Sequence, residues 1–217
     1  ICMDNGRLYQ EIHAASGAWA IYEIDPLNKS VKPIVQLDLE QHFVNMCRLN
    51  ERELLYVVRE GGSYAQPVTF MRYNTETGST EAWSFPTIET MQTQGANVED
   101  IQASGNRLYV LMIQNTVAFN ATLEVFDLTD FSHLESRSLP DFIIHALNPL
   151  SSSIAIDEMY VTGDAAVYTM LDYYMSETDS RVGGPSYLCY GNEMLQLDTF
   201  SSEGSVYHHL LTPTHSD

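Results

Sequence analysis

Short apolar runs separated by turn-forming residues fill the chain, and one arrangement of them recurs four times. Asn5-Gly6-Arg7-Leu8-Tyr9, Arg52-Glu53-Leu54-Leu55-Tyr56-Val57, Gly105-Asn106-Arg107-Leu108-Tyr109-Val110 and Asp157-Glu158-Met159-Tyr160-Val161 each set a turn before an apolar-Tyr pair. Tyr9, Tyr56, Tyr109 and Tyr160 stand 47, 53 and 51 residues apart. That spacing suits repeats built from one supersecondary unit of about 40 to 50 residues. Leu54 to Val58 and Leu108 to Ile113 are apolar at every position, which predicts strands covered on both faces.

A second strand follows in each repeat: Ala20 to Asp25, Phe70 to Asn74, Leu123 to Asp127 and Met194 to Asp198. Each ends in Asp or Asn, whose side chain can accept from backbone amides two residues on and so open a turn. Asp25, Asn74, Asp127 and Asp198 are therefore read as turn formers, not catalytic acids. A third strand leaves each turn, over Val31 to Leu37, Thr80 to Phe85, Leu134 to Leu139 and Ser205 to Leu211. A further strand precedes the apolar-Tyr pair in the later repeats, over Phe43 to Leu49, Val98 to Ala103 and Ser153 to Ile156. Four strands per unit is the composition of a propeller blade.

Leu108-Tyr109-Val110 with Leu123-Glu124-Val125-Phe126-Asp127-Leu128, and Met159-Tyr160-Val161-Thr162, resemble the blades of bacterial extracytoplasmic propellers that carry a Tyr-Val-Thr-Asn signature, and more loosely those with Tyr-Trp-Thr-Asp. The resemblance implies a fold and a place outside the cytoplasm, and it implies no activity. The expected architecture is an all-β, β-propeller-like array of about four four-stranded antiparallel blades in a single domain over 1–217. Its approximate repeats are 1–39, 40–88, 89–142 and 143–217. Only Ile1 to Met3 stand where the first repeat needs its innermost strand. The chain is accordingly expected to be part of a larger propeller, or to self-associate and so cover its first and last blades.

Composition narrows the partners. Against 29 Asp and Glu there are 10 Lys and Arg, a formal net charge of −19. Such a field repels nucleic acid and anionic lipid, and favours solubility and cationic partners. No apolar run approaches the twenty or so residues of a membrane helix, so no membrane insertion is expected. The first residue, Ile1, is not an initiator Met and no signal-peptide pattern follows it, as in a processed or excised chain. Cys2, Cys47 and Cys189 fall at dissimilar positions in three repeats and are expected to remain free thiols.

Sites of chemistry are not evident. The seven histidines lack metal-ligand spacing, and there is neither a nucleophile elbow nor a phosphate loop. Ser176-Glu177-Thr178-Asp179-Ser180 offers oxygen ligands of the kind calcium takes but not the EF-hand spacing. No cofactor, metal or catalytic residue is assigned. The fourth repeat is irregular: Tyr160 to Asp198 spans 38 residues where the other repeats span 16 to 18. An insertion near 171–191 is inferred, and long links often carry function. Its Asp172, Tyr173, Tyr174, Asp179, Arg181, Tyr187 and Tyr190 form the candidate binding set. The favoured function is a non-catalytic binding or scaffolding module recognising a protein or glycan through loops. The alternative is the propeller portion of an enzyme, a hydrolase or lyase, gating or lining an active site.

Overall fold

The computed structural model describes residues 1, 3, 6–13, 17–61, 66–114, 120–139, 141, 144, 154–163, 165–175, 180–183, 186–190 and 193–197. They form four antiparallel sheets in chain order. Sheet A contains β1 (Leu8–His13), β2 (Trp19–Asp25) and β3 (Ser30–Gln36) in the order β1-β2-β3. Sheet B is a meander of β4 (Gln41–Arg48), β5 (Glu53–Glu60), β6 (Val68–Asn74) and β7 (Thr80–Trp83). Sheet C repeats it with β8 (Ala96–Ser104), β9 (Arg107–Gln114), β10 (Asn120–Asp127) and β11 (His133–Ser138). Sheet D has β12 (Ile154–Thr162), β13 (Ala165–Met175), β15 (Ser186–Tyr190) and β16 (Glu193–Leu197) in that spatial order, with β14 (Ser180–Gly183) paired to β13. A helix, α1 (Pro86–Thr93), links sheets B and C. The chain divides into two compact units, the first holding sheets A to C and the second most of sheet D.

The continuous apolar runs have a direct physical cause in the first unit. Successive side chains of a strand point to opposite faces. In β5, Leu55 and Val57 enter a core with Val98, Leu108, Val110, Met112 and Phe126 of sheet C. Leu54, Tyr56 and Val58 of the same strand enter a second core with Tyr9 and Ile21 of sheet A. A strand sandwiched between two sheets has no solvent face, so its alternation disappears. Cys47 lies in the first of these cores as a free, buried thiol, and burial pushes its pKa up. Cys2 lies outside the described residues.

The predicted turn chemistry is realised three times. Asp25 Oδ1 accepts from the amides of Leu27 and Asn28, both at 3.0 Å. Asn74 Oδ1 accepts from Glu76 at 3.0 Å and Thr77 at 2.9 Å, and Asp127 Oδ1 from Thr129 at 2.6 Å. Asp198 lies outside the described residues. Four residues after each Asp or Asn the backbone turns left-handed, at Lys29 (φ 51°), Gly78 (φ 72°) and Phe131 (φ 58°). Gly is the residue this conformation favours, and a bulky side chain there is strained.

Two features depart from the sequence reading. Met159-Tyr160-Val161 lie in the first strand of sheet D, whereas the matching apolar-Tyr pairs of sheets B and C lie in the second strands, β5 and β9. The fourth repeat is thus one strand out of phase with sheets B and C. α1 lies between β7 and β8, where the sequence pattern placed no element, with Pro86 in its first turn and Ile88 buried. Beside sheet A, Ile1 bonds to Tyr9 of β1: its ammonium donates to Tyr9 O at 2.7 Å, and Tyr9 N donates to Ile1 O at 2.8 Å.

Candidate functional site

The candidate binding residues of the fourth repeat fall mostly on strands. Asp172, Tyr173 and Tyr174 on β13 pair with Gly183, Val182 and Arg181 on β14. Tyr187 and Tyr190 on β15 pair with Tyr168 and Ala165 nearer the start of β13. Asp179 lies outside the described residues. The extra length is therefore the hairpin that pairs 172–175 of β13 with 180–183 of β14, while 186–190 is a regular strand of the sheet.

A second assembly, not foreseen from sequence, lies in the first unit. The turns after β4, β8 and β10 come together at one end of sheets B and C and enclose an open cleft of about 490 Å³. Leu49 and Asn50 contribute from the first turn, Gly105 and Asn106 from the second, and Leu128 to Phe131 from the third. Glu53, Arg72 and Trp83 line it from β5, β6 and β7.

Arg72 is the centre of one wall. Its guanidinium carbon lies 4.2 Å from the Trp83 ring centroid and 5.8 Å from that of Phe131, within the range of cation–π attraction. Its terminal nitrogens pair with Glu53 and, at 3.5 Å, with Glu81. Arg72 Nε and Trp83 Nε1 are buried without a hydrogen-bond partner among the described residues. Burial alone would push the Glu53 carboxyl up, yet the bonds from Asn50 and Arg72 bring it below the usual range. Asp130 is also held low, by its hydrogen bonds from Ser132. Both are carboxylates at neutral pH.

Phe131 occupies the left-handed slot that its repeat partners fill with Lys29 and Gly78. Its ring reaches Trp83 at 4.8 Å and Phe85 at 5.9 Å. A side chain kept at a strained backbone position points to a role for its ring. Phe131→Gly is expected to be more stable than Phe131→Ala by about 1 kcal/mol, because both lose the ring but only glycine relieves the backbone. Urea unfolding of the two variants measures this. Equal stability would show that residue 131 is not left-handed in solution.

Two other polar groupings lie in the first unit. Glu124, buried on β10, accepts from Ser136 Oγ at 2.6 Å and bonds His133 Nε2 at 2.8 Å, with Ser136 3.5 Å from that same nitrogen. A serine relay places the imidazole between hydroxyl and carboxylate, using both ring nitrogens. Here both partners meet one oxygen, Oε2, so the grouping ties β11 to β10 and does not activate the serine. On the first strands of sheets B and C, Asn45 donates to Asp100, each beside a β-bulge. Burial raises the carboxyl of the neighbouring Glu99, and the charge of Arg59 opposes that rise. Among the described residues no group of three or more His, Cys, Asp or Glu could hold a metal ion, and no helix is long and apolar enough to cross a membrane.

No protein-family model matches the sequence, and no curated protein matches it. Solved structures do. A prolyl endopeptidase aligns with 93% of this chain at 11% identity and a TM-score of 0.51. The β-propeller domain of the Trilobed protease from Pyrococcus furiosus aligns with 90% at 8% identity and a TM-score of 0.44. A conserved lipoprotein from Clostridium novyi NT aligns with 58% at 11% identity and a TM-score of 0.44. The chain spans 26% of the prolyl endopeptidase, 54% of the Trilobed protease domain and 84% of the lipoprotein. At such identities the likeness speaks to fold alone. With the antiparallel meander sheets, the likeness to the prolyl endopeptidase shows that this chain has an all-β, β-propeller-like fold.

Proposed function

We propose that the chain is a non-catalytic binding module, working outside the cytoplasm, that recognises a protein or glycan ligand through the cleft between sheets B and C. The observation that carries this reading is the cleft's construction. Turns of two neighbouring sheets bring an Arg72-Trp83-Phe131 stack beside the carboxylates of Glu53 and Asp130, and one ring of the stack is held at a strained backbone position. Aromatic and arginine side chains dominate the energetics of recognition surfaces. The enzyme reading draws on Glu99, whose raised carboxyl stands next in sequence to the Asn45–Asp100 pair.

Labelled full chain applied to peptide and glycan arrays tests the proposal. A ligand on one array is expected to lose at least about tenfold in affinity with Phe131→Gly. It should bind unchanged when the hairpin over 172–183 is replaced by a tight turn. Indifference to Phe131→Gly, or loss on trimming the hairpin, overturns the cleft as the recognition surface; the second result assigns that role to the residues around Asp172, Tyr174 and Arg181.

A further inference from the structure

The hydrogen-bond accounts of the cleft decide what chemistry it can meet. Its side-chain amides bond within the wall. Asn50 Nδ2 donates to Glu53 at 2.7 Å, and Asn106 Nδ2 donates to Asp127 at 3.1 Å and to Thr129 Oγ1 at 3.0 Å. The terminal nitrogens of Arg72 pair with Glu53 and Glu81, and its Nε and Trp83 Nε1 are buried. Asp130 has one oxygen accepting from Ser132 N at 2.9 Å and is itself exposed. The exposed acceptor of the wall is therefore the Asp130 carboxylate, beside the half-buried rings of Trp83 and Phe131. A glycan asks for donors and acceptors together, whereas a cation asks only for acceptors and π-faces. Arg72 supplies an internal precedent, a guanidinium stacked 4.2 Å from the centroid of Trp83. The formal charge of −19 draws such groups in.

We propose that the cleft receives the cationic side chain, arginine or lysine, of a protein ligand, with the Asp130 carboxylate and the rings of Trp83 and Phe131 as its seat. This rests on the reading of the cleft as the binding site and adds the class of its ligand.

The test uses the full chain and the Trp83 indole N–H signal in NMR, assigned with Trp83→Phe. Three probes are titrated: acetyl-Ala-Arg-Ala-amide, the same peptide with neutral citrulline for arginine, and chitotetraose. The arginine peptide is expected to shift the signal saturably, about fivefold more tightly than the citrulline peptide, and more weakly as salt rises. Asp130→Asn keeps an oxygen for Ser132 N and removes the charge. It should cost the arginine peptide about fivefold and leave the citrulline peptide unchanged. Equal affinity of the two peptides, or indifference of the arginine peptide to Asp130→Asn, overturns cation recognition. A shift by chitotetraose alone also overturns it while keeping the cleft as a binding site. If no probe moves Trp83, both the cation and the cleft are overturned.

Discussion

Phe85→Ala is expected to lower the stability of the first unit by about 3–5 kcal/mol, the usual cost of deleting a buried phenylalanine ring. Phe85 is 2% exposed. Its ring meets Phe70 of sheet B at 4.8 Å, Phe126 of sheet C at 5.0 Å and Phe131 of the cleft wall at 5.9 Å. Edge-to-face contacts of this kind add to simple burial. The ring bridges sheets B and C within their shared core, and it also backs the cleft. Urea unfolding should show a lower midpoint with little change in slope. A loss below about 1.5 kcal/mol would mean that the two sheets are held together without this ring.

Glu23→Gln is expected to cost about 2–3 kcal/mol at neutral pH and progressively less in acid. Glu23 is buried on β2, where its carboxylate takes two bonds of 3.1 Å from Arg7, one of 2.8 Å from the Tyr9 hydroxyl and an ion pair of 2.9 Å with Lys32. Burial alone would push its carboxyl up, and the bonds from Lys32, Tyr9 and Arg7 outweigh that and hold it below the usual value. A carboxyl lowered on folding contributes stability above its unfolded pKa of about 4.3 and loses it as pH falls through the folded value. The wild-type advantage over Glu23→Gln should therefore be full at pH 7 and shrink below about pH 4. A difference that stays constant with pH would assign the loss to packing instead of charge.

What the sequence displays depends on whether the cause is local. The Asx turns at Asp25, Asn74 and Asp127 are set by residues within three positions of each other, and the spacing alone reveals them. The two-faced strands are legible because a missing alternation has one meaning, cover on both sides. The shift of Tyr160 into the first strand of sheet D was hidden, since an apolar-Tyr pair fits either buried strand of a blade. The cleft was hidden for another reason. Arg72, Trp83 and Asp130 lie on three elements of two sheets and meet only because two copies of the meander stand side by side. One trace of it was present: Phe131 stands where the aligned turns have Lys29 and Gly78, an unusual residue for a turn.

That left-handed position is also a mounting point. In three repeats the same backbone course carries Lys29, Gly78 and Phe131, so its geometry is set by the preceding Asp or Asn and persists with each of these side chains, at a cost in strain where the residue is not glycine. Replacement there changes what one end of the blade shows to its surroundings without moving a strand. Gly78 is a vacant mount beside an occupied one at Phe131. A repeat array organised this way can acquire or exchange ligands one substitution at a time, with the cost confined to a single turn and the ladders behind it untouched.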